Sequence, residues 1–293
     1  MDRRRSLLRI LDSIFQGVLQ GLTEFLPVSS SGHLSIYQHL TGQSGEMGLM
    51  FSVFLHFGTL IAVFIAFRQT IGRVILGFFR LAGKLFRGRL RLRELDAYER
   101  MATLLIVGLI PMIFAYLLKD FYESFSTDNS LLVEGICFLV TAVLLYCSTR
   151  FAKPVKPVER MSPSDALIVG CVQAVAPLPG LSRSGSTISA GLLCGLERPL
   201  AVEFSFILGV PVVLGANLLE LKDALQSDAP FELLPLLLGI VTAAVVGFLA
   251  IKLVQWLIKS DHFRIFAWYT LAVGLLCVGI SIYEAVSGTV VRF

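Results

Sequence analysis

Charge is what this 293-residue sequence has least of: Asp, Glu, Lys and Arg together make up 16% of it, against 55% in the hydrophobic set. With a mean hydropathy of +0.78, the chain is too apolar for a water-soluble domain of its length, and lipid is the expected solvent. Cysteine is also sparse. Cys137, Cys147, Cys171, Cys194 and Cys277 sit inside apolar segments, odd in number and without metal-ligand spacing. That pattern argues against both a zinc cage and a disulfide framework, and the cysteines read as small packing residues. The net charge of +4 hints at an acidic partner, but the Lys and Arg residues cluster beside apolar spans. This is a pattern of membrane topology, not of nucleic-acid binding. Arg3, Arg4, Arg5 and Arg9 could open a signal peptide. The stretch that follows soon meets Gln16, Gln20 and Glu24 and has no small-residue cleavage site, so it is expected to stay in the mature protein.

What the sequence does have is long apolar segments. A helix needs about 20 mainly apolar residues to cross the hydrocarbon of a bilayer. Stretches 47–67, 101–118, 131–149, 201–219, 233–251 and 265–283 are expected to do so, giving six crossings. The stretch 68–100 carries Arg73, Arg80, Lys84, Arg87, Arg89, Arg91 and Arg93 and reads as a cytoplasmic loop. The stretches with Asp120, Glu123 and Asp128, and with Asp223 and Asp228, read as external. Sliding the chain against itself by 153 positions aligns 17–66 with 170–219 and gives ten identities in fifty. The matches include Gly17 with Gly170, Gln20 with Gln173, Ser29 with Ser182, Ser31 with Ser184, Gly32 with Gly185 and Gly42 with Gly195. Polar and glycine residues do not recur in register through apolar bias. The expected fold is therefore all-α and polytopic: one membrane domain, 1–293, built from two inverted repeats at about 10–150 and 160–286. Segments 14–42 and 165–196, broken by Pro27 and by Pro177 and Pro179, read as re-entrant helical hairpins. Broken backbone at membrane depth is tolerated only around a cavity or inside protein. This topology leaves Arg3, Arg4 and Arg5 outside, against the positive-inside tendency; a first segment that crosses fully would instead give seven spans.

The first broken segment runs Gln20-Gly21-Leu22-Thr23-Glu24-Phe25-Leu26-Pro27-Val28-Ser29-Ser30-Ser31-Gly32-His33. Gln20 and Glu24 share a helix face and could hold Mg²⁺ or Ca²⁺, which take oxygen ligands. Pro27 and the serines look like a helix start, where free amides and the dipole favour an anion. With His33 one turn on, the segment offers a hydroxyl nucleophile, an acid or base, and amide donors. The second segment, Pro179-Gly180-Leu181-Ser182-Arg183-Ser184-Gly185-Ser186-Thr187, adds the planar cation of Arg183, suited to phosphate oxygens, and the hydroxyls of Ser182, Ser184 and Thr187. A bridge from Arg183 to Glu24 or Glu203 is the plainer reading. His56 and Glu134 stand singly on apolar spans, where an interhelical hydrogen bond serves as well as a functional role.

These two segments, in this order, resemble those of the undecaprenyl-diphosphate phosphatases, the bacitracin-resistance phosphatases. The first resembles that family's Glu/Gln-x-x-x-Glu run into Pro-Val-Ser-Ser-x-Gly-His, the second its Pro-Gly-x-Ser-Arg-Ser-x-x-Thr. The resemblance implies hydrolysis of undecaprenyl diphosphate, a prenyl diphosphate lipid, to undecaprenyl phosphate in the bacterial cytoplasmic (inner) membrane. Carried over by position, Glu24 and Gln20 would bind or orient the divalent cation and Arg183 would grip the diphosphate. Ser29, Ser182, Ser184 and Thr187 would complete the cradle, with Ser30 the leading nucleophile and His33 the acid or base, although His33 as nucleophile stays open. Gln20 replaces a commoner carboxylate, and Ser31 stands where threonine is frequent. A carrier that flips the phosphorylated lipid is the alternative function, and the oligomeric state, a homodimer included, is left open.

Overall fold

The computed structural model describes residues 2–41, 46–88, 91, 94–118, 121–122, 130–226, 232–260 and 262–292. Gly42, Arg89, Arg93, Asp120, Glu123, Asp128 and Asp228 lie outside them, as do the side chains of Arg3, Arg4, Arg5 and Asp223. Every named element among the described residues is helical. In order they are α1 (Asp2–Phe25), α2 (Ser30–Thr41), α3 (Glu46–Ala66), α4 (Arg68–Phe86), α5 (Ala97–Leu117), α6 (Leu132–Phe151), α7 (Pro163–Val175), α8 (Arg183–Leu193), α9 (Arg198–Gln226), α10 (Leu233–Lys259) and α11 (Ile265–Ser287). Local sequence sets several of their starts. Asp96 caps α5, accepting from the amides of Tyr98 and Glu99 while Glu99 reaches back to the Asp96 amide. Ser162 and Asp165 do the same for α7, with Pro163 leading the helix.

Among the described residues, five helical stretches are long and apolar enough to cross a membrane: α5, α6, Arg198–Leu219 of α9, α10, and His262–Ser287 around α11. Val53–Ala66 of α3 with α4 makes a sixth if this pair, bent by 84°, counts as one span. The chain is a multi-pass membrane protein. Less than half of each of the five windows is buried inside the protein. Phe114, Val143, Leu249 and Leu276 stand exposed, on faces that suit lipid and not water.

The stretch expected as a basic loop after residue 67 is instead largely α4. Its Ile71, Val74 and Gly77 are buried while Ile75, Leu76, Phe78 and Phe79 are exposed. Gly77 lies on the backbone of Tyr98 and Glu99, where a Cβ would come within 2.9 Å. Lys84 closes a 2.6 Å ion pair with the buried Glu99. An apolar outer face, basic residues and a sharp bend away from α3 suit a helix lying in the plane of the membrane surface. Arg68, Arg73, Arg80 and Lys84 recur too often for a span, which is why hydropathy alone hid the helix.

The broken segments are seated on the spans through glycine. Helix α1 runs alongside α10 in the same direction: Arg9 pairs with Glu232 at the start of α10, Gly17 lies on Gly239, and Gly21 on Ala243 and Gly247. Helix α7 likewise runs alongside α5. Arg100 donates to the Met161 carbonyl, Gly170 lies on Gly108, and Tyr122 donates to the Ala174 carbonyl. Gly17 and Gly170 are equivalent at the offset of 153, so each broken segment rests by an equivalent glycine on a span of the other half. The two enter from opposite ends. Lys156 pairs with Asp165 at the start of α7 and accepts from Glu197 beside α9, whose Arg198 donates to Ile258 at the far end of α10. The two leading helices differ in length: α1 has 24 residues and α7 has 13.

Candidate active site

Helices α1 and α7 both stop where a proline-containing turn reverses the chain, and α2 and α8 restart at serine caps. The Ser29 hydroxyl accepts from the Gly32 amide at 3.2 Å, and the Ser182 hydroxyl from the Gly185 amide at 3.0 Å. Ser31 and Ser184 stand 3.4 Å from their respective capping hydroxyls. Identical residues at identical spacing thus give identical caps. The two turns touch: Ser184 donates to the Leu26 carbonyl at 3.1 Å, and Gly32 lies on Gly180. One difference separates them. Ser29 has φ 68°, in the left-handed region that side chains avoid, whereas Ser182 has φ −73°. Such strain, about 1–3 kcal/mol, persists only where surrounding contacts hold it.

Between the turns lies a cavity of about 310 Å³ walled by Glu24, Ser29, Ser30, Ser31, His56, Gln173, Ser182 and Arg183, among others. The starts of α2 and α8 both border it, so two sets of first-turn amides and two helix dipoles favour an anion there. The Glu24 carboxylate, 7% exposed, organises the wall. Its Oε1 accepts from Nη2 of Arg183 at 2.6 Å, and its Oε2 from Oγ of Ser30 at 2.8 Å and Nε2 of Gln20 at 2.9 Å. Nε2 of His56 is 3.6 Å from the same Oε2. Ser30 and Arg183 are equivalent at offset 153, and one carboxylate bridges them. A hydroxyl hydrogen-bonded to a base, a guanidinium fork and helix-start amides are the parts that phosphoryl transfer uses.

Residues 13–276 match the family model described as bacitracin resistance protein BacA. The chain belongs to that family. It is 42% identical over 280 residues to an undecaprenyl-diphosphatase of Methanosphaera stadtmanae, covering 94% of this chain and 99% of the relative. It is 39% identical over 274 residues to one of Halothermothrix orenii, covering 92% and 98%. A third, from Methanobrevibacter smithii, is 40% identical over 268 residues, covering 91% and 96%.

Not every residue singled out from this BacA family sequence reaches the cavity. Glu24, Ser29, Ser30, Ser182 and Arg183 wall it, while Gln20, His33, Ser184 and Thr187 do not. Gln20 is buried behind Glu24. Thr187 is fully buried and donates to the Arg183 carbonyl at 2.7 Å, steadying the turn that carries the guanidinium. Nδ1 of His33 is 2.7 Å from the Ser29 carbonyl, which can only accept, so Nδ1 carries the proton. Its Nε2 meets the Tyr269 hydroxyl at 2.7 Å on α11, with the rings stacked. His33 thus clamps the strained Ser29 and ties the start of α2 to α11, leaving no ring nitrogen for Ser30.

Three residues gain a place the sequence had not given them. His56 and Gln173 wall the cavity. Gly209, on α9, lies so close to the Arg183 guanidinium that a Cβ there would overlap Nη1. A signal existed in the alignment of halves, which pairs Gln173 with Gln20 and Gly209 with His56. As for a metal, no group of three or more His, Cys, Asp or Glu converges among the described residues. Glu24, the carboxamide of Gln20 and the Ser30 hydroxyl are hard oxygen donors, which suits Mg²⁺ or Ca²⁺ only when phosphate oxygens complete the shell.

Proposed function

We propose that this protein hydrolyses undecaprenyl diphosphate to undecaprenyl phosphate and inorganic phosphate, recycling the lipid carrier of cell-wall sugars in the bacterial cytoplasmic membrane. The observation that carries this reading is the Glu24 carboxylate, which holds Ser30 on one oxygen and Arg183 on the other beside two helix starts. The prenyl tail stays in lipid among the exposed apolar faces, and only the diphosphate enters. Arg183 turns from Glu24 to the phosphate oxygens, and the amides at the starts of α2 and α8 stabilise the charge that grows on them. As Ser30 Oγ bonds to the terminal phosphorus, its proton passes to Oε2 of Glu24. The bond from phosphorus to the bridging oxygen breaks, and undecaprenyl phosphate leaves. Glu24 yields its proton to the departing undecaprenyl phosphate; water then attacks the phosphoserine, giving a proton to Glu24, which passes it to Ser30 Oγ as phosphate leaves.

Phosphate release from a prenyl diphosphate by protein in detergent tests this directly, because a carrier has no second compartment there and needs no nucleophile. Ser30→Ala is expected to lose at least about a thousandfold in rate. Retention of more than a tenth of the parent rate would remove Ser30 as nucleophile.

In this reading Glu24 would hold a divalent cation, with Gln20 behind it orienting the carboxylate. When bound, the cation supplies charge neutralisation on the phosphates. Chelation is expected to stop turnover and added Mg²⁺ or Ca²⁺ to restore it. Glu24→Gln should raise the cation concentration needed for half-maximal substrate binding. Undiminished turnover in excess chelator would exclude the cation.

A further inference from the structure

A second cavity, of about 420 Å³, opens where α3 breaks into α4, beside the first turns of α9 and the last turns of α10. It shares no wall residue with the hydroxyl cavity. Arg68 and Thr70 reach it from α4, Glu203 from α9, and Lys252 and Lys259 from α10. Three cations thus face one carboxylate, and that carboxylate is engaged, accepting from the Thr70 hydroxyl at 2.5 Å. Arg68 spends one donor on the Ile65 carbonyl at 3.2 Å, and among the described residues the other four N–H groups of its guanidinium meet no acceptor. Helix α4 begins here after Phe67, which offers no side-chain cap, so among the described residues its first-turn amides meet no side-chain oxygen. Excess positive charge, an uncapped helix start and an open volume together describe an anion site.

The surroundings say what kind of anion. Leu249, Lys252 and Trp256 follow at i, i+3 and i+7 along α10, forming one stripe. Leu249 and Trp256 are 59% and 62% exposed, and Phe64 and Ile65 at the end of α3 are exposed as well. Apolar surface fit for acyl chains therefore leads up to the cations. Trp256 stands between the two, where amphipathic rings sit at the level of lipid headgroups. Free phosphate would need no such approach. We propose that this cavity holds the phosphate headgroup of an anionic membrane lipid, a site separate from the one where the diphosphate is cleaved. Arg68, Lys252 and Lys259 contact the headgroup, and the acyl chains lie along the stripe of α10. Basic pockets between membrane helices recognise anionic headgroups in this way.

The chain has two tryptophans, so Trp268→Phe leaves Trp256 as a reporter beside the cavity. In vesicles, brominated phosphatidylglycerol is expected to quench Trp256 at lower mole fraction than brominated phosphatidylcholine. The preference should be about fivefold for each cation that engages the headgroup. Lys252→Gln/Lys259→Gln should cut the preference to the about fivefold that Arg68 alone supplies while leaving phosphate release at the parent rate, which also shows that the variant is folded. Should the pair fail to fold, Arg68→Gln and Lys252→Gln alone are each expected to lower the preference. Equal quenching by the two lipids in the parent would overturn the proposal, as would a preference untouched by these variants. A preference erased by inorganic phosphate, but not by chloride at equal ionic strength, would assign the cavity to free phosphate and overturn the lipid reading.

Discussion

Arg183→Ala is expected to lower phosphate release by about a thousandfold or more, the scale on which a cation that stabilises a transferring phosphoryl group acts. The loss alone would not separate two roles, because Arg183 also bridges Glu24 at 2.6 Å, with the side chains 18% and 6% exposed. Removing one partner of a buried pair leaves the other charge stranded, at a cost of about 3–5 kcal/mol when burial is complete. Here it should fall toward the lower end, since Arg183 keeps some contact with the cavity. A lower melting temperature is therefore expected as well. Adding Glu24→Gln to Arg183→Ala removes the stranded charge and should return most of the melting temperature without returning activity. If the double variant regained turnover, the pair would be a structural bridge and nothing more. Arg183→Lys keeps the charge and loses the fork, so it should fall between parent and alanine variant in rate while staying near the parent in stability.

How much of this could be read from the sequence depends on what kind of physics set each feature. The spans were legible because the length of an apolar run is a one-dimensional property that lipid imposes directly. Stretch 101–118 and helix Ala97–Leu117, or 131–149 and Leu132–Phe151, differ by four residues at most. The helix start after Pro27 was legible too, since the proline and the serines act within one turn of chain. Helix α4 was not, because its stability comes from seating Gly77 on the Tyr98–Glu99 backbone and pairing Lys84 with Glu99, contacts made after the chain has folded back. In the site, Glu24, Ser30 and Arg183 carried strong chemical cues and do meet. His33 carried an equally strong cue but turns to Tyr269, a residue 236 positions away that no local pattern announces. His56 stands singly on an apolar span, where the sequence weighs an interhelical hydrogen bond and a functional role equally, and it lies 3.6 Å from Glu24.

The paired caps explain why two similar segments build one unequal site. Both halves provide a serine-capped helix start, so the anion-binding scaffold is duplicated. The position after the capping serine is then Ser30 in one half and Arg183 in the other, a hydroxyl facing a cation. Glu24 aligns with Pro177, so the single carboxylate that joins them comes from one half only. The left-handed Ser29 belongs to that same half, and Ser182 has no such strain. In the proposed reaction the strained turn carries the chemistry and the relaxed one the binding.

Gly209→Ala is expected to separate stability from activity most cleanly. Within a helix, alanine is favoured over glycine by about 0.8–1 kcal/mol, so on propensity alone the substitution should leave the melting temperature unchanged or raise it. Its Cβ, however, would occupy the space of the Arg183 guanidinium, which a buried position of α9 cannot yield by moving backbone. The guanidinium has to shift instead, weakening its bond to Glu24 and its aim at the cavity. A misplacement of about 1 Å in a positioning group can cost a hundredfold in rate, and a loss of that order is expected here, in a protein that melts close to the parent because the helix gain offsets the weakened pair. A double-mutant cycle identifies the route. If Gly209→Ala acts through Arg183, then adding it to Arg183→Lys, whose slimmer side chain leaves room for the methyl, should cost little further rate. If the two losses multiply instead, Gly209 serves the site by some path other than the space it leaves for the guanidinium.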